Sequence, residues 1–189
     1  MRLLATSAFA SLALLGACQK QPPLGSGLKS PEAVARVAAS MPNLEAEDFL
    51  QGAVGADIYA IKAAQIAMTR AQDPKVKALA QDLAFHHADA RTELGAAVAR
   101  SGQVAPLPDA PTDKQQALLD QLGRDPQRTF DRTYVEQQVQ MQEERVSLLT
   151  NYADSGDVPA IKAAAASLVP EANSKLADAR ALEERLDTP

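Results

Sequence analysis

The sequence predicts an all-α protein, a four-helix bundle. Three observations carry this: four long segments with apolar residues every three or four positions, abundant alanine, and only short strand-like apolar runs after the first few residues. Alanine has the highest helix propensity and lets helices approach closely. The 189 residues suit one domain plus a leader, aromatics make up only 4%, and Trp is absent. The net charge of −5, with no basic patch and no glycine-rich phosphate loop, argues against nucleic acid as a partner.

Residues 1–17 read as a signal peptide, with Arg2 as a minimal positive start and Leu3 to Leu15 as an apolar stretch too short to span a bilayer. It ends in Leu15-Gly16-Ala17-Cys18, which resembles the lipobox of bacterial lipoproteins, so Cys18 is expected to be lipidated and to become the new N-terminus. Cys18 is the sole cysteine, which excludes an intramolecular disulfide. Gln19 in place of Asp favours the outer membrane by analogy with lipoprotein sorting. The expected location is thus the periplasmic side of that membrane, with the bilayer as partner through Cys18. Residues 18–43 comprise the lipidated Cys18, a Pro- and Gly-containing tether, and a short helix over Pro31 to Ser40. The bundle domain is expected over 44–189.

The first long helix is expected over Glu45 to Ala71, with Phe49, Ala53, Ala56, Ala60, Ala63 and Ala67 as its stripe. Its Gly52 and Gly55 read as points of close helix packing. Asp73-Pro74 caps and opens the second, which places Val76, Leu79, Leu83, His87, Ala90, Leu94 and Val98 on one face and stops at Gly102. A proline-containing connection leads to a small extra helix opened by Thr112 or Asp113 and interrupted at Gly123. The third long helix is expected from Pro126 to Ser155, with its polar Gln and Glu residues off the apolar stripe. Gly156-Asp157 closes it and caps the last helix, whose face carries Ile161, Leu168, Leu176 and Leu182; Pro170 lies inside and should kink that helix or remove one hydrogen bond. Short connections after the first and third long helices make antiparallel hairpins.

Candidate chemistry is sparse. His86 and His87 are adjacent, point about 100° apart on a helix, and so cannot act as an i, i+4 metal pair. His87 falls on the inward stripe and reads as a hydrogen-bonded interior histidine; both are weak metal candidates. Dinuclear carboxylate sites in bundles use Glu-x-x-His, which occurs nowhere in the chain. No nucleophile elbow is present, and no catalytic residue is assigned. Asp131 at a helix start suits the dipole and Arg132 suits a neighbouring carboxylate, while Phe130 and Tyr134 read as a packed aromatic pair whose hydroxyl finds a partner.

Several segments together resemble the bacterial envelope family known as domain of unknown function 4142, of the ferritin-like superfamily. They are Asp48-Phe49-Leu50, Pro74 to Ala80, His87 with Asp89-Ala90 and Glu93-Leu94, Phe130-Asp131-Arg132-Thr133-Tyr134, Gly156-Asp157 with Ile161-Lys162, and Leu168-Val169-Pro170. The resemblance implies a ferritin-like four-helix bundle in the periplasm. Phe130, Asp131, Arg132, Tyr134 and Pro170 serve as structural signature residues. It also implies a polar interior position on each long helix, a Glu or His in many relatives, which in this chain falls on Ala60, His87, Gln142 and Lys175. Three of these four are not the implied type. His87, Gln142 and Lys175 are the candidate polar interior site, in a core otherwise expected to be aliphatic. The functional expectation is a non-catalytic, lipid-anchored envelope protein without a cofactor, in a structural or interaction role with an unidentified protein partner. The alternative is a metal-binding or stress-related protein using His87.

Overall fold

A computed structural model describes residues 45–102 and 107–188. The leader, the tether, Cys18 and the short helix expected at Pro31 to Ser40 lie outside the described residues.

Among the described residues the chain forms five helices and no strand: α1 (Ala46–Arg70), α2 (Pro74–Ser101), α3 (Asp113–Arg124), α4 (Phe130–Ser155) and α5 (Pro159–Asp187). The starts and stops follow from local chemistry. The Asp73 side chain accepts the Lys75 amide at 2.7 Å, and Pro74 occupies the first turn of α2. Gly102, at φ +70°, ends α2 in the left-handed conformation that side chains disfavour. Thr112 and Gln115 form a reciprocal capping box at the start of α3.

Val158 rather than Asp157 stands at the N-cap of α5, with no side-chain cap hydrogen bond, and Asp157 instead accepts the Tyr152 hydroxyl. Two expected boundaries also move. Gly123 does not interrupt α3, which runs on to Arg124. The third long helix starts at Phe130 rather than at Pro126. The Pro126 carbonyl accepts the amides of Thr129 and Phe130, so those residues form a separate turn before α4. α5 runs continuously through Pro170.

α1 packs beside α2, α2 beside α5, α5 beside α4, and α4 beside α1, which closes a ring of four long helices. The hairpin turns are short, and Phe49 near the start of α1 stacks on Tyr152 near the end of α4, with ring centroids 4.1 Å apart. Neighbouring long helices are therefore antiparallel. The short helix α3 lies against α1 and α4. The glycines mark close approach: a Cβ on Gly52 would stand 2.8 Å from the end of the Leu148 side chain, and one on Gly55 3.3 Å from the Gln115 amide oxygen.

The Phe130–Tyr134 segment ties three parts of this frame together. The Asp131 carboxylate accepts the backbone amides of Gln72 (3.0 Å) and Asp73 (2.7 Å) in the α1–α2 turn. Arg132 pairs with Asp187 and donates to the Leu186 carbonyl at the end of α5. Arg70 lies over the Phe130 ring, 4.6 Å from its centroid, and donates to the carbonyls of Leu122, Gly123 and Asp125 where α3 ends. Those carbonyls have no partner within their helix, so Arg70 acts as their cap.

Replacing Asp131 with Ala removes the acceptor for two turn amides. The expected cost is about 1–2 kcal/mol, read from the urea midpoint, since hydrogen bonds to charged groups contribute about this much when partly exposed. Amide exchange at Gln72 and Asp73 should accelerate along with it.

Candidate functional site

The core is two apolar clusters. One holds Ala63, Val76, Leu83, Leu122, Phe130, Val135 and Leu182; the other holds Phe49, Leu50, Leu94, Leu149, Tyr152 and Ile161. Between them lies a layer of polar side chains. Asp57 comes from α1, His87 from α2, and Gln142 and Arg145 from α4; they are 0%, 3%, 1% and 6% exposed.

The four are one connected network. His87 Nδ1 stands 2.7 Å from Asp57 Oδ1, and His87 Nε2 stands 2.8 Å from Gln142 Nε2. A carboxylate only accepts, so Nδ1 carries the proton, and in the neutral ring Nε2 accepts from the Gln142 amide. Arg145 donates to the same Asp57 oxygen from Nε at 3.2 Å and from a terminal guanidinium nitrogen at 2.9 Å. Burial holds the His87 pKa below its ordinary 6.5, the Arg145 charge pushes the same way, and Asp57 opposes both.

A second polar strand continues along α4. Tyr59 donates its hydroxyl to Gln137 Oε1 at 2.9 Å, and Gln137 donates to the Leu118 carbonyl and to Gln121 on α3. Gln138 is fully buried. Tyr134 stacks on Phe130 as expected, at 6.4 Å between centroids, but its hydroxyl has no protein partner. Burial raises the phenol pKa of both Tyr59 and Tyr134, with Tyr59 adding to the shift at Tyr134, so both stay neutral.

The expected interior is thus corrected in three ways. The core is not aliphatic with isolated polar tips, because an acid and an imidazole from separate helices converge. The polar residues of α4 are not confined to its outer face, since Gln137, Gln138, Gln142 and Arg145 are all buried. Lys175 belongs elsewhere. His87 and Gln142 do meet, but Lys175 pairs with Asp82 at 2.6 Å and with Glu171 and Asp178 at 3.3 and 3.4 Å. Partial burial opposes the Lys175 charge, yet the hydrogen bonds and charges of Asp82 and Glu171 outweigh it and raise its pKa. His86 joins this outer cluster, 3.2 Å from both Asp82 and Glu171.

The donor set decides what the inner layer can hold. It has one carboxylate and one imidazole, both ring nitrogens are engaged, and a guanidinium sits on the carboxylate. A first-row metal needs three or four nitrogen, sulfur or carboxylate donors, and Arg145 would repel it. Among the described residues no group of three or more His, Cys, Asp or Glu is placed to hold a metal ion.

The profile of the family described as "Domain of unknown function (DUF4142)" matches residues 31–182. The chain belongs to the DUF4142 family. No curated protein matches it. Among solved structures it is similar to "Crystal structure of DUF305 fragment from Deinococcus radiodurans", with a TM-score of 0.63 and 18% identity over 74% of this chain and 95% of that one. That likeness shows the fold, an all-helical bundle.

Two members of this DUF4142 layer escape a reading of the sequence by resemblance. Asp57 sits one turn before Ala60, where an acidic residue is implied, and Ala60 is simply buried core. Arg145 falls between Met141 and Leu149 at four-residue spacing, a charge on an inward stripe. The lone carboxylate within Ala53 to Ala60 was the available signal for Asp57.

Removing Asp57 leaves both His87 and Arg145 buried without their acceptor. Asp57→Ala should destabilise by about 3–5 kcal/mol, whereas Lys175→Ala, breaking more exposed pairs, should cost about 0–1 kcal/mol; urea midpoints compare them. The depressed His87 pKa gives a pH dependence of defined sign. The unfolded chain takes up a proton near 6.5 that folded His87 refuses, so this contribution is complete above that pH and is lost as pH falls toward the folded pKa. The slope is at most about 1.4 kcal/mol per pH unit. Denaturation midpoints measured from pH 7.5 downward should fall in the wild type and flatten in His87→Gln.

Proposed function

We propose that this chain is a non-catalytic, lipid-anchored periplasmic bundle that serves a structural or interaction role in the cell envelope. The observation that supports this most is that the one buried imidazole and the one buried guanidinium among the described residues are already engaged with protein partners. With His87 bonded at both nitrogens, no buried imidazole nitrogen is left to act as a base or a ligand, and Arg145 on Asp57 opposes a cation there. Membership of the DUF4142 family is consistent with this reading but assigns no activity. The anchor rests on the leader and on Leu15-Gly16-Ala17-Cys18. Among the described residues no helix is long and apolar enough to cross a membrane.

A second reading, a periplasmic metal-binding or stress-related protein using His87, draws support from the convergence of Asp57 and His87. It requires Arg145 to release its carboxylate and Gln142 to turn its oxygen inward.

Metal analysis and calorimetry on the purified chain separate the two. The expected result is no stoichiometric copper, zinc or iron, in the wild type or in His87→Ala. Binding at one equivalent that disappears in the variant would establish the second reading. For the anchor, Cys18→Ala should shift the protein from the membrane fraction to the soluble periplasm; an unchanged distribution removes the lipoprotein assignment.

A further inference from the structure

Five buried polar atoms of the described residues have no protein partner, and they belong to one region. They are Asp57 Oδ2, Gln142 Oε1, both ends of the Gln138 amide, and the Tyr134 hydroxyl. Their residues are at most 1% exposed. Tyr134, Gln138 and Gln142 follow one another at four-residue spacing on α4. They therefore share one face, each about 6 Å further along the axis. Asp57 is joined to Gln142 through His87.

We propose that the middle of the bundle is a water-binding site, holding a short row of about two ordered waters along this face of α4. The spacing fits. A water accepting from one group and donating to the next spans about 5.6 Å between its partners, close to one helical turn. One water would bridge Tyr134 and Gln138, and a second Gln138 and Gln142; Asp57 Oδ2, across the His87 ring from Gln142, takes a donor of its own. The donor balance fits as well. Three of the five atoms only accept, one only donates, and the phenol does either. The guest must therefore mainly donate while accepting from the Gln138 amide nitrogen. Water does both. A cation would suit the three oxygens, but it would meet the Arg145 guanidinium already seated on Asp57, and it could not accept from Gln138. The Gln138 amide lies close enough to the Tyr59 hydroxyl to oppose the burial-driven rise of that phenol's pKa. Neither of its ends makes a hydrogen bond of normal geometry, so turning the amide over does not remove the demand. Left dry, these groups would lose their solvent hydrogen bonds with nothing in exchange.

Two measurements on the full chain test this. Water relaxation dispersion should count about two long-lived internal waters in the wild type, and at least one fewer in Gln138→Leu. If that variant fails to fold, Gln142→Met takes its place with the same expected loss. A crystal structure at high resolution should show water density within hydrogen-bonding distance of Gln138 and of Asp57 Oδ2. No long-lived water, a count unchanged by substitution, or a metal ion in that density would each overturn the proposal. So would Gln138 bonded directly to the Tyr134 hydroxyl with no water beside it.

Discussion

The hydrogen-bonded junction of Asp57, His87, Gln142 and Arg145 sets the terms for the rest of the bundle. Three helices contribute to it, and its geometry is narrow: one carboxylate oxygen receives an imidazole and a guanidinium, and the far side of the imidazole receives an amide. Sliding α1 or α4 by a turn would strand a charge in the interior, and sliding α2 would strand an imidazole. Apolar contacts tolerate such slips far better, because one alanine or leucine resembles the next. A core rich in alanine, as on α1, has particular need of a device that singles out one register. Buried ionic groups contribute little net stability compared with well-packed hydrocarbon. Selection among alternative packings is the role best attested for polar residues in helical assemblies, and the narrow geometry of this junction suits it.

The ends of the bundle are fixed by a different means. Asp131, Arg132 and Arg70 act on backbone groups that helices leave unpaired at their termini. This accounts for the Phe-Asp-Arg-Thr-Tyr signature in physical terms. Phe130 supplies a face for Arg70, Asp131 fastens the α1–α2 turn, Arg132 reaches the end of α5, and Tyr134 begins the inward polar face of α4. Phe130, Asp131 and Arg132 each address a separate part of the chain, so none of the three substitutes for another.

The fold was readable from periodicity because each long helix buries a continuous stripe; every position expected on the inner face of α2, from Val76 to Val98, is buried. Caps were readable for the same local reason, as with Asp73 and Thr112. The start of α4 was not, since Pro126 opens a turn as readily as a helix, and only the backbone bonds decide. The polar layer was half visible. His87 and Gln142 stand on inward positions, but a charge such as Arg145 is ordinarily placed at the surface by default, and only tertiary pairing with Asp57 reverses that. Lys175 was misplaced because its position along α5 matches the layer, while its side chain turns to the carboxylates of Asp82 and Glu171.

The division of the apolar core into two clusters has an energetic corollary. Side chains such as Leu83 and Ile161 belong to different clusters, with the ionic layer between them. Perturbations at such distant sites sum, whereas those within one cluster interact. The molecule should therefore accept sequence drift in one half without compensating change in the other, so that each end of the bundle evolves as a separate packing problem joined only at its waist.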